Sequence, residues 1–65
     1  MLFKKSRKEK LRKQVLDLLK EEAIVSRTRM FKKFGYTEWS DIVETSDLVG
    51  ITLNEEENEV YYFIK

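Results

Sequence analysis

Two hydrophobic periods divide this chain. As far as Val43 the apolar side chains recur at spacings of three and four, and from Ile51 onward they alternate. The first pattern suits helices that bury one face and the second suits half-buried strands, so the chain is expected to be α+β with its hairpin at the C-terminal end. Residues 51–53 and 60–64 read as two strands, with residues 54–59 as their connection. Setting Leu53 opposite Val60 also sets Ile51 opposite Tyr62. That register puts Ile51, Leu53, Val60, Tyr62 and Ile64 on one face, toward the helices, and turns Thr52, Tyr61 and Phe63 the other way.

Three helices precede the hairpin. Leu11, Val15, Leu18 and Leu19, with Leu16 and Ala23 beside them, mark the buried face of a first helix over residues 5–22. Ile24 and Val25 are β-branched and follow it with no glycine cap, which suits a very short strand or an extended link. Ser26 is placed to cap a second helix over residues 27–34, where Met30, Phe31 and Phe34 share a side. Gly35 stops it, because glycine accepts the left-handed conformation common just past a helix end. Thr37, with Ser40 as a competing cap, opens a third helix over residues 38–46, in which Trp39, Ile42 and Val43 form the apolar stripe. At this spacing Trp39 reads as a core residue.

With 65 residues and neither cysteine nor histidine, the chain has room for one domain and no means of stapling it by disulfides or thiolate zinc. Residues 1–9 are a basic arm or the start of the first helix, and residues 10–65 are the domain. No apolar run resembles a secretory leader or a membrane span, so an intracellular, cytoplasmic protein is expected. Catalytic motifs are missing too: there is no glycine-rich phosphate loop, no nucleophile elbow, no metal-ligand spacing and no cofactor motif. Glu55, Glu56, Glu57 and Glu59 read as a solvated turn. A binding protein rather than an enzyme is expected.

The formal charge of +1 conceals a segregation of sign. Residues 1–13 carry +6, residues 14–34 carry +2, and residues 35–65 carry −7. One end of the molecule should attract a polyanion and the other a basic partner.

The order of these elements, with an extended link after the first helix, a tight glycine turn between the second and third, and a terminal hairpin, resembles the winged helix-turn-helix family over residues 10–65. The resemblance implies DNA binding and transcriptional regulation, with the third helix in the major groove and the hairpin as a wing. Carried onto this sequence, the groove-facing positions would be Thr37, Glu38, Ser40, Asp41, Glu44 and Thr45, and the wing tip residues 54–58. Those positions are acidic, whereas duplex affinity rests largely on basic side chains displacing counterions. The phosphate grip is therefore assigned to Lys4, Lys5, Arg7 and Lys8 on the arm and to Arg27, Arg29, Lys32 and Lys33 on the second helix, with Thr37 and Ser40 beside them. A solvated basic tail is the competing account of the arm. The alternative function is a winged-helix protein-interaction module that offers its acidic third helix (Glu38, Asp41 and Glu44) and its wing to a basic partner. Tyr61 and Phe63, on the back of the hairpin, need cover from the first helix, from Leu2 and Phe3, or from another chain, and a homodimer is expected.

Overall fold

The computed structural model describes residues 7–65. Six elements follow one another: α1 (Arg7–Glu22), β1 (Ile24–Ser26), α2 (Arg27–Phe34), α3 (Trp39–Thr45), β2 (Val49–Asn54) and β3 (Glu59–Ile64). The strands form one antiparallel sheet in the order β1-β3-β2.

Of the two readings open for Ile24 and Val25, the strand is the one that forms. Three helices followed only by a terminal hairpin is thereby corrected: β1 lies between α1 and α2 in sequence and on the outer edge of β3 in space. The physical reason is local. Ala23 takes a left-handed φ of 67° and donates its N–H to Leu19 O, ending α1 where a glycine would be expected. The chain reverses and runs alongside β3, where Val25 pairs with Tyr62 and both are buried.

Limits set by short-range chemistry fall where the residues suggest. Ser26 is extended (φ −76°, ψ 158°) and its hydroxyl accepts from Arg29 N–H, capping α2. Gly35 closes α2 at φ 64°, its N–H donating to Phe31 O. At α3 both expected caps are corrected, because the helix begins from Glu38 and no side chain caps it. Glu38 has φ −79° and ψ 11°, a nearly helical entry, whereas a capping Ser or Thr needs extended backbone.

One core lies between the helices and a single face of the sheet. Val15, Leu18 and Leu19 of α1 meet Met30 of α2, Trp39, Ile42 and Val43 of α3, and Val25, Val49 and Tyr62 of the sheet. The hairpin register is the expected one, with Leu53 opposite Val60 and Ile51 opposite Tyr62. Its inner face is covered along β3, where Tyr62 is buried and Val60 and Ile64 pack on the core, but on β2 only at Val49. Ile51 and Leu53 remain 49% and 55% exposed, so the hairpin projects past the helices.

The back of the sheet is better filled than alternation alone suggests. Phe63 pairs with Gly50 on one side and Ile24 on the other, and its ring lies over Gly50, which is buried beneath it. An aromatic side chain thus covers the glycine of the neighbouring strand, a packing that supplies the contact glycine lacks.

Two substitutions test these features. Gly50→Ala places a methyl group in the Phe63 ring and should cost about 1–3 kcal/mol, as overpacking does. The loss should shrink in a Phe63→Leu background, and an additive double-mutant cycle in urea unfolding would contradict the packing. Ala23→Gly removes a left-handed alanine and should stabilise by roughly 0.5–1 kcal/mol on the same measurement.

Candidate functional site

The basic end of α1 lies against the start of α3. Lys8 Nζ donates to Asp41 Oδ2 at 2.7 Å, joining residues 33 positions apart. That hydrogen bond, reinforced by the charge of Asp41 and to a lesser extent of Glu38, raises the Lys8 pKa above its ordinary 10.5. Asp41 sits in the first turn of α3, where a carboxylate also complements the helix dipole.

Beside this bridge runs an open groove of about 520 Å³ between α1 and the turn joining α2 to α3. Arg7, Lys10, Leu11 and Gln14 line one wall at the three- and four-residue spacing of a single helix face. Tyr36, Thr37 and Glu38 line the other.

Tyr36 is 96% exposed and stands at the outer end of a chain of tilted and edge-on ring contacts. Its ring centroid lies 5.3 Å from that of Phe31, which meets Trp39 edge-on at 5.1 Å, and Trp39 in turn meets Tyr62 edge-on at 5.8 Å. Trp39 is buried as expected of a core residue, and its Nε1 donates to Gly35 O at 2.9 Å. The guanidinium of Arg27 lies 5.7 Å from the Phe31 ring centre.

Of the basic residues of α2, Arg29 and Lys33 lie beside carboxylates of α1, and none lines the groove. Arg29 is forked onto Glu22 at the end of α1, at 2.8 and 3.4 Å, and this hydrogen bond and charge raise its pKa. Lys33 shares a cleft with Asp17 and Glu21 of α1. Lys32 is exposed, and Lys4 and Lys5 lie outside the described residues. Of the α3 positions, Thr37, Glu38, Ser40, Asp41 and Glu44 are all exposed, but only Thr37 and Glu38 line the groove.

The hairpin tip is organised by its own side chains. Asn54 accepts from Glu57 N–H and donates to Glu57 Oε1, the same carboxylate oxygen to which Tyr61 donates its hydroxyl at 2.6 Å. Asn58 takes the left-handed φ of 52° that reverses the chain. Tyr61 and Phe63, expected to need outside cover, are only partly exposed: one is tied to Glu57 and the other packed on Gly50. Among the described residues no group of three or more Asp or Glu is disposed to hold a metal ion, and no helix is long and apolar enough to cross a membrane.

Tyr36, Lys10 and Gln14 are the groove residues that the pattern of the sequence did not single out, while Leu11, expected on the buried face of the first helix, is half-buried and lines the groove. For Tyr36 a signal was present: a large aromatic directly after a helix-ending glycine falls outside the apolar stripes of both α2 and α3. Comparison with known proteins finds no family model, no characterised protein and no solved structure that matches this chain.

The tied groups share a sign in their response to pH. Tyr61, through its bond to Glu57, and Tyr62, through burial, are raised above their ordinary 10.0, and Lys8 is raised above 10.5. Each binds its proton more tightly in the folded chain, so its contribution is complete below the ordinary value and disappears as pH rises through the folded one. The urea midpoint should stay level from neutrality to about pH 9 and then decline through the alkaline range. A midpoint that rose there would contradict these pairings, and Tyr61→Phe should blunt the decline.

Proposed function

We propose that this protein is a small DNA-binding protein of the winged-helix kind, a regulator that grips phosphate through the basic end of α1. The observation that carries the reading is the Lys8–Asp41 bridge, which sets the cationic end of α1 alongside α3 and the turn that precedes it. The order α1-β1-α2-α3-β2-β3, with β3 central in the sheet and the β2–β3 hairpin projecting, supports it. In this docking mode Arg7, Lys8 and Lys10 meet the backbone, and Arg12, one turn beyond Lys8, extends the field. Asp41 is partly neutralised by Lys8, which moderates the repulsion an acidic α3 would otherwise offer a duplex.

The alternative reading is a protein-interaction module, favoured by one specific observation. Ile51 and Leu53 are half-exposed on a hairpin whose tip carries Glu55, Glu56 and Glu57, an apolar and acidic surface suited to a basic partner. Self-association belongs to the same surface, since Tyr61 and Phe63 are occupied within the chain.

Anisotropy titration of a labelled duplex across a salt series separates the two. Contact with about four phosphates gives a slope of log affinity on log salt near −3.6. Neutralising Arg7, Lys8 and Lys10 together to glutamine should flatten it by about 2 to 3 units. Glu38→Gln with Glu44→Gln should strengthen duplex binding if α3 lies near it and weaken capture of a basic protein partner. No duplex binding at low salt overturns the DNA reading.

A further inference from the structure

From the groove between α1 and the α2–α3 turn we infer a second mode of recognition, which rests on the nucleic-acid reading above: Tyr36 is a stacking platform for an unpaired base. An aromatic ring that is 96% exposed contributes almost nothing to the core by burial. Phe31, itself held edge-on by Trp39, touches it only at a tilt of 57°, so the Tyr36 ring stands beside the core with its faces open to the groove and to solvent. Across the groove stand Leu11, an apolar wall, and Gln14, whose amide both donates and accepts hydrogen bonds. Arg7 and Lys10 complete the same helix face with two cations.

A ligand that answers all of these features is flat and apolar on its faces, offers donors and acceptors at its edge, and carries negative charge a short distance away. A nucleotide unit within a strand has that chemistry, and its base reaches an open ring only when unpaired. The volume of about 520 Å³ falls within the roughly 300–1,000 Å³ of small-ligand clefts, enough for one base with its sugar. A duplex could satisfy Arg7 and Lys10 through its phosphates and leave Tyr36 unused. Stacking on an aromatic side chain works for any base because every base has a π-face, so the preference is for single strands rather than for a sequence.

The test compares a short oligothymidylate with a blunt duplex of equal length, both labelled, on the full chain at low salt. Tyr36→Ala should lose about tenfold or more on the single strand, stay within about twofold on the duplex, and be restored by Tyr36→Phe. No loss on the single strand, or equal loss on both, overturns the inference while leaving the phosphate grip intact. Binding of neither probe by the unaltered chain overturns the inference and the DNA reading together. Should Tyr36→Ala fail to fold, Tyr36→Trp supplies the second readout. Its emission, taken in excess of that of the unaltered chain with its buried Trp39, should be quenched by the oligothymidylate and not by the duplex, and an unquenched excess overturns the proposal.

Discussion

The indole of Trp39 is the piece on which the rest of this molecule closes. In a chain of 65 residues without cysteine, few side chains are large enough to touch both helical and sheet layers. Trp39 meets Phe31 of α2 and Tyr62 of β3 with its edges and faces, and returns its N–H to the carbonyl of Gly35. That last bond matters as much as the packing, since an indole N–H buried without an acceptor is costly. It also ties the turn between α2 and α3 to the first residue of α3, so the helix starts from a tight entry with no side-chain cap. The groove wall bearing Tyr36 and Thr37 inherits its position from the same bond.

Among the described residues, charge on this scaffold is drawn partly into pairs between elements. Lys8 and Arg29 each cross between elements to a carboxylate, one holding α1 to α3 and the other holding the end of α1 to α2. Exposed pairs of this kind contribute little to stability, and their larger effect is on the field around the groove. Pairing spends part of the basic character of α2 internally and leaves the start of α1 as the cationic pole. The opposite pole is the hairpin tip, and the two are built from distant parts of the sequence.

What the residues disclosed in advance was whatever short-range chemistry decides. The limits of α2 follow from Ser26 and Gly35, and the pairing of Leu53 with Val60 follows from alternation, because each depends on neighbours a few positions away. Membership of Ile24–Ser26 in the sheet depends on Tyr62, far along the chain, and on a left-handed Ala23 that no propensity favours. The cover over Phe63 was hidden for a similar reason: alternation says which way a ring points but not that a glycine lies across from it. Nor could spacing foresee that Lys8 meets Asp41, or that Tyr36 is left outside both helical stripes to face α1. The candidate site was thus legible as a charged end and illegible as a groove.

Among the described residues the sheet has two open edges, and they are guarded differently. β1 exposes only three residues of unpaired backbone, too short a template for another strand to extend. β2 is six residues long, contains no proline, and carries Ile51 and Leu53 half-exposed, which is the profile of a strand that recruits copies of itself. Its outer end runs directly into Glu55, Glu56 and Glu57. A second β2 laid antiparallel along that edge would bring its own hydrophobic residues only together with three more carboxylates. The acidic turn therefore opposes edge-to-edge growth of β2 into fibres, while the face that carries Ile51 and Leu53 stays open to a partner.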